Sequence, residues 1–223
     1  MASIYIHIPF CRSICSYCDF SKVLHKKDLV IPYLESLASE IEDAYEHEPI
    51  STLYIGGGTP SCLSEFETQK LIEIISLIDL KEGYEFTFEC NIEDLDERLL
   101  YDLKEMGVNR LSIGIESFDE DKLKFMNRKV TFKEAEEKIA LARKYGFDNI
   151  NVDLMYGIPY EKVKDLRKDV NLFLKLDVEH ISTYSLIIED HTMCRIRDDS
   201  NICEEEENKM YEYIETKLKK NGY

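Results

Sequence analysis

Along most of the chain, stretches in which apolar and polar residues alternate one by one give way to stretches in which apolar residues recur every three or four positions. The first pattern is that of a strand and the second that of a helix. Strands are predicted over residues 4–9, 52–55, 85–90, 110–116, 149–156 and 180–188. Helical faces follow them in turn. Leu34, Leu37 and Ile41 follow the first strand, and Leu71, Ile74, Ile75 and Ile78 the second. Leu99, Leu100 and Leu103 follow the third, and Ala135, Ile139 and Ala142 the fourth, after a shorter helix over residues 120–126. Val163, Leu166, Val170 and Phe173 follow the fifth, and Met210, Ile214 and Leu218 the sixth. Gly107, Gly146 and Gly222 stand where helices are expected to stop, since glycine closes a helix in the left-handed conformation at little cost.

Six βα units in succession predict an α/β fold with a parallel sheet. The strands also have two unlike faces. Phe86, Phe88 and Cys90 oppose Thr87 and Glu89; Leu111, Ile113 and Ile115 oppose Ser112, Gly114 and Glu116; Ile150, Val152 and Leu154 oppose Asn151, Asp153 and Met155. A sheet covered by helices on both faces reads as continuous apolar runs. One apolar and one polar face instead predicts a partial (βα)6 open barrel, with helices outside and a polar ligand inside. Glu89, Glu116 and Asp153 then share the polar face near the C-terminal ends of three strands, where barrels of this kind carry their chemistry.

Composition narrows the class. The 223 residues suffice for one core, and the whole chain is expected to be one barrel domain. A net charge of −17 argues against nucleic acid as a partner, because phosphate contacts need clustered Lys and Arg. The run Glu204-Glu-Glu-Glu207 suits the positive end of a helix dipole. No apolar run approaches the ~20 residues that span a bilayer, which leaves only peripheral membrane contact. No basic stretch leads into an apolar segment near the start, so a cytoplasmic location is expected.

Seven cysteines, three of them within eight residues, do not make a disulfide framework in a chain of this length. Cys11, Cys15 and Cys18 have C-x3-C-x2-C spacing directly after the first strand. Thiolates this close on one loop can wrap an iron–sulfur cube. With three ligands one iron stays open, as in catalytic rather than structural metal sites. Zinc is the alternative, with His7 or His25 as a fourth ligand. After the second strand comes Gly56-Gly57-Gly58-Thr59-Pro60, whose glycines allow close approach of the backbone to a ligand. It lacks the Gly-Lys-Ser/Thr of a P-loop. Of the remaining histidines, His25 and His47 are expected to be solvated, His180 structural, and His191 is a candidate for facing the site.

Taken together, Tyr5-Ile-His7-Ile-Pro-Phe-Cys11, Gly56-Gly-Gly-Thr-Pro60, Glu89-Cys-Asn91, Gly107-Val-Asn-Arg-Leu-Ser-Ile-Gly-Ile-Glu-Ser-Phe118 and Asn151-Val-Asp153-Leu-Met-Tyr-Gly157-Ile-Pro159 resemble the radical S-adenosylmethionine (SAM) family of oxygen-independent coproporphyrinogen oxidase. Phe20, where the true oxidases carry a further cysteine, and a start at the first barrel strand are similar to the HemW, or haem-chaperone, branch. The resemblance implies a 4Fe–4S cluster on Cys11, Cys15 and Cys18, with SAM on its open iron. It implies SAM contacts from Tyr5, Tyr17, Gly57, Gly58, Thr59, Glu89, Glu116, Arg128 and Asp153. Haem or another tetrapyrrole is the implied partner, and a homodimer the implied assembly. A radical SAM oxidase acting on a porphyrinogen is the other activity it implies. The family's C-terminal domain is expected to be absent. The chain departs from the family pattern at Glu116 (usually Gln), Val130 (often His), Ile92 (often Pro) and Tyr160-Glu161 (usually Gly-Gln).

Overall fold

The structure, a computed structural model, describes residues 2–197, 200 and 202–223. Its main sheet has six strands in the order β1 (Ala2–Ile8), β4 (Ile50–Gly57), β5 (Leu80–Asn91), β6 (Arg110–Glu116), β7 (Ile150–Tyr156) and β8 (His180–Ser185). Each neighbour in the sheet is the next long strand in the chain, as successive βα units require. The pairs β1–β4, β4–β5 and β7–β8 are parallel. Between β1 and β4, β2 (Phe10–Cys11) and β3 (Val23–Leu24) form a two-residue parallel ladder that the hydrophobic pattern does not predict. A pair that short has no period to read.

The helices are α1 (Lys27–Ala44), α2 (Glu65–Ile75), α3 (Glu97–Glu105), α4 (Glu120–Met126), α5 (Phe132–Lys144), α6 (Val163–Phe173), α7 (Met193–Ile196) and α8 (Glu204–Lys220). Their ends follow the sequence. Ser64 and Glu67 form a reciprocal capping box on α2, and the Asp96 side chain accepts from Leu99 N at 2.7 Å to start α3. Gly107 and Gly146 follow α3 and α5 at positive φ. The first turn of α8 holds Glu204–Glu207 and its last turn three lysines, both signs matching the helix dipole.

Contacts divide the chain into two compact units. The first comprises the chain up to Ser13, Phe20–Ser112 and Leu141–Asp148; the second comprises Ile14–Asp19, Ile113–Ala140 and Asn149–Tyr223. In the first, Ile6, Ile8, Leu53, Ile55, Phe86 and Phe88 are buried together with Val30, Leu34, Leu71 and Ile75 of the helices. In the second, Ile113, Ile115, Val152 and Leu154 are buried with Leu123, Leu166, Val170 and Phe173. Each such side chain contributes roughly 1.5–3 kcal/mol by leaving water. The alternate residues carry the polar groups. In the first unit the polar face runs through Ser3 and Thr52, whose hydroxyls bond at 2.5 Å, and through Tyr5 and Tyr54, whose rings lie 5.9 Å apart. No helix among the described residues is long and apolar enough to cross a membrane.

Candidate functional site

In the first unit the glycine run is packed against the segment that carries Cys11. Ile8 of β1 pairs with Gly57 of β4. Beyond the strands the contact continues: Gly58 N donates to Ile8 O at 2.8 Å and Thr59 N to Phe10 O at 2.7 Å. Thr59 Oγ1 then reaches Cys11 Sγ at 3.5 Å. Glycine is required here by space. A Cβ on Gly58 would sit 2.8 Å from Phe10 O and from Pro9 C, both backbone atoms. Gly57, at φ +116°, would drive a Cβ to 2.6 Å from the His7 ring.

Cys11 is buried and held from its other side as well. His25 N donates to Cys11 O at 2.8 Å through the β2–β3 ladder. The His25 ring is not the solvated side chain that the sequence reading expects. Its Nε2 meets Glu67 Oε2 at 3.0 Å, so the N3 residue of the α2 capping box also fixes the residue beside Cys11. Arg12 is anchored to buried Asp94 at 2.7 Å, and Asp94 accepts from Ser61 Oγ at 2.8 Å.

Glu89, at the end of β5, is aimed by two donors. Tyr54 OH donates to its Oε1 at 2.6 Å and Gly57 N to its Oε2 at 3.0 Å. Tyr54 was not among the predicted site residues. Its signal in the sequence is its place in phase with Tyr5 on the polar face, two residues before the glycine run. Tyr5, predicted to contact SAM, is exposed, and its hydroxyl lies 3.1 Å from His7 Nδ1.

The second unit gathers Cys15, Tyr17, Glu116 and Arg128. The Cys18 N–H donates to Cys15 O at 3.3 Å, so these two cysteines share one turn. Ser16, buried between them, is tied down by its N donating to Met126 O, its Oγ donating to Phe125 O and accepting from Cys194 Sγ, and its carbonyl accepting from Cys194 N. Arg128 is the hub. One guanidinium nitrogen donates to Cys15 Sγ at 3.7 Å and lies 3.8 Å from Glu116 Oε1; the other donates to Gly114 O at 2.7 Å. Tyr17 OH donates to the same Glu116 oxygen at 3.2 Å, which makes Tyr17 a partner of Glu116.

The electrostatics follow from burial. Burial pushes the Cys15 thiol up, and Arg128, by charge and hydrogen bond, holds it back without cancelling the rise. Burial likewise raises Glu116, against the pull of Arg128 and Tyr17. Tyr17 is raised well above the ordinary tyrosine value by burial and then by the Glu116 charge.

Asp153 takes its place on β7, where Asn151 Nδ2 donates to its Oδ1 at 2.8 Å. Asn151 in turn accepts from Ser182 Oγ at 2.9 Å and contacts His180 Nδ1, the structural role expected of that histidine. His191 is exposed. Tyr160, at 93% exposure and φ +68°, occupies a backbone conformation that glycine adopts freely.

Among the described residues, no three His, Cys, Asp or Glu side chains stand close enough as placed to hold a metal ion. The donor set nevertheless fits a cluster better than zinc. Three of the seven cysteines lie on one short loop. The two histidines that zinc would need are engaged elsewhere: His7 Nε2 lies 2.8 Å from Ser21 O, and His25 is held by Glu67. A cationic guanidinium beside Cys15 suits an anionic iron–sulfur group. The glycine backbone beside Cys11 has space for nothing larger than hydrogen on its inner side.

Comparison with known proteins agrees with this chemistry. The Radical SAM superfamily profile matches residues 5–173. The chain is 40% identical to "Heme chaperone HemW" of Lactococcus lactis subsp. lactis (strain IL1403) over 226 residues, covering 99% of the chain and 59% of that protein. It is also 40% identical to the protein of the same name from Bacillus subtilis (strain 168), covering 100% of the chain and 61% of the relative. The chain therefore spans about three fifths of the length of these curated relatives. The solved structure of coproporphyrinogen III oxidase from Escherichia coli, a radical SAM enzyme, superposes with a TM-score of 0.89 over 100% of this chain and 53% of that one. At 23% identity that likeness shows the fold.

Proposed function

The chain belongs to the radical SAM superfamily, and from that premise we propose that it is the cluster- and SAM-binding part of a haem chaperone of the HemW kind. The observation that carries the reading is the packing of Gly58 and Thr59 directly on the Cys11 segment. It joins the residues expected to hold the methionine end of SAM to a residue expected to hold the cluster.

In this reading Cys11, Cys15 and Cys18 ligate a 4Fe–4S cluster, which supplies an open iron for SAM. Glu89, oriented by Tyr54 and Gly57, accepts from the SAM ammonium, and Gly57, Gly58 and Thr59 present backbone to the methionine end. Arg128 balances the negative charge of Glu116 and of a nearby carboxylate. Tyr5 and Tyr17 provide aromatic surface, and Glu116 and Asp153 accept from ribose hydroxyls. Phe20, 71% exposed, offers no thiol where the oxidases carry one. Haem is the proposed cargo, by analogy with the named function of the relatives. The cytoplasm as location, a homodimer as assembly and independence from nucleic acid belong to the same proposal.

The test is anaerobic reconstitution with iron and sulfide, then EPR of the reduced protein with and without SAM. A 4Fe–4S signal that SAM perturbs, with stoichiometric haem binding and no 5′-deoxyadenosine release, is the expected result. 5′-Deoxyadenosine release coupled to loss of a porphyrinogen would move the protein to the oxidases. Bound zinc without labile sulfide would overturn both readings.

A further inference from the structure

Behind Glu116, in the second unit, lies a buried ionic cluster that no part of the cofactor chemistry uses. Lys122 of α4, 6% exposed, places its ammonium 2.8 Å from Asp169 Oδ2 of α6 and against the Glu161 carboxylate. Burial lowers the Lys122 pKa, but Asp169 and Glu161 outweigh it and hold the ammonium charged. Such a group of charges, all but closed to water, is strongly destabilised by removing a single member.

The cluster reaches back to the end of β6. Asp169 Oδ2 accepts from Ser117 Oγ at 2.6 Å, and Asp169 Oδ1 from Phe118 N at 2.9 Å. Ser117 Oγ also accepts from Asp119 N at 3.0 Å. One carboxylate therefore fixes both residues that follow Glu116, and Phe118 is further held against Phe132 and Phe173. Glu116 itself has φ +72°, a conformation that a residue with a Cβ adopts only when its surroundings impose it. That turn carries the Glu116 carboxylate to Tyr17 and Arg128. Glu161, through Ile158 N at 3.1 Å, ties the loop after β7 to the same ammonium.

We propose that Asp169, secured by Lys122, is a positioning residue for SAM: it imposes the strained turn at Glu116 and so holds the Glu116 and Arg128 side chains where the cofactor needs them. The inference rests on the SAM-binding reading above and adds residues that do not touch the ligand.

Wild-type and Asp169→Asn proteins, each reconstituted with iron and sulfide and reduced, are titrated with SAM while the cluster EPR spectrum is followed. The expected result is an unchanged iron and sulfide content and SAM-free spectrum, with the SAM concentration at half-conversion raised about tenfold, the usual scale for losing an outer-shell partner. An unchanged midpoint overturns the proposal whatever happens to the melting temperature, since Asp169 is then structural only. Loss of the cluster together with the SAM response overturns it too, because the effect is then not confined to the SAM side. A wild-type spectrum that SAM never perturbs instead removes the underlying reading. Should Asp169→Asn fail to fold, Ser117→Ala, which leaves the Lys122–Asp169 pair intact, goes through the same titration with the same outcomes.

Discussion

Arg128 stands with one guanidinium nitrogen 3.7 Å from the Sγ of Cys15, although 113 positions separate the two residues in the chain. The same side chain holds Gly114 O and lies against Glu116, so a thiol, a strand end and a buried carboxylate share one cation. A lysine concentrates its donors on one nitrogen, whereas the spaced, planar nitrogens of a guanidinium reach the Cys15 and Gly114 sides separately.

Arg128→Met should therefore leave Glu116 buried without its cation and lower stability by about 3 kcal/mol, the scale for breaking one side of a buried pair. Arg128→Lys should recover only part of that loss. Urea denaturation of the three proteins without cluster measures both effects. Equal stability of Met and wild type would show that Tyr17 and solvent suffice for Glu116.

The glycine run supplies a sharper contrast. A Cβ on Gly58 meets the Pro9 and Phe10 backbone, which cannot move without carrying Cys11 with it. Gly58→Ala should cost about 1–3 kcal/mol as an overpacked site and reduce the iron retained after reconstitution. Gly83 makes the control: its φ is +73°, but nothing lies within 4 Å of an added Cβ. Gly83→Ala should cost about 1 kcal/mol through its backbone conformation alone, with iron retention unchanged. Thermal melts paired with iron assays separate space from strain.

Much of this arrangement is legible in the chain. The period-two alternation finds the apolar faces of β5, β6 and β7, and with them the phase of Glu89, Glu116 and Asp153, because strand geometry leaves no other assignment. Spacing finds the cysteine loop, and the glycines mark the approach of the backbone. What the pattern misses are pairings whose partners lie far apart in sequence. His25 reads as a loop residue until Glu67, 42 positions on, is brought beside it. Lys122, Glu161 and Asp169 each read as one polar residue of a solvated helix face or loop, and only the buried ion pairs of Lys122 with Glu161 and Asp169 reveal them as partners. Tyr54 passes for ordinary strand filling because an aromatic residue suits a strand whether or not its hydroxyl has work.

Glu67 gives the pH dependence. Burial raises its pKa, but the Ser64 N–H, His25 and the Ser64 hydroxyl outweigh burial, and the net shift is below the ordinary value of 4.5. A carboxylate lowered in the folded state contributes stability above its unfolded pKa and loses it as pH falls through the folded one. Wild type should therefore exceed Glu67→Gln in stability near neutral pH, and the gap should narrow steadily below about pH 4.5 as the carboxylate takes up its proton. Chemical denaturation between pH 3 and 7, as rough limits set by carboxylate titration, reads the difference directly. A constant gap across that range would mean that Glu67 acts only through the shape of its cap.

Tyr54 tests whether Glu89 must be aimed. Its hydroxyl and the Gly57 N–H occupy one oxygen each of the Glu89 carboxylate, and together they fix the plane in which the remaining lone pairs point. Tyr54→Phe removes one of the two donors and keeps the ring beside Tyr5, so the fold should lose only about 1 kcal/mol. Freed from one side, the carboxylate can rotate about the bond that Gly57 still holds. SAM should then bind more weakly, by roughly the tenfold that one charge-assisted hydrogen bond represents, while the spectrum of the reduced cluster without SAM stays as it was. Glu89→Gln keeps the shape but removes the charge that attracts an ammonium, and should weaken SAM further than Tyr54→Phe does. The reverse order, with Tyr54→Phe the more damaging, would place the tyrosine hydroxyl itself on the ligand and leave Glu89 as its support.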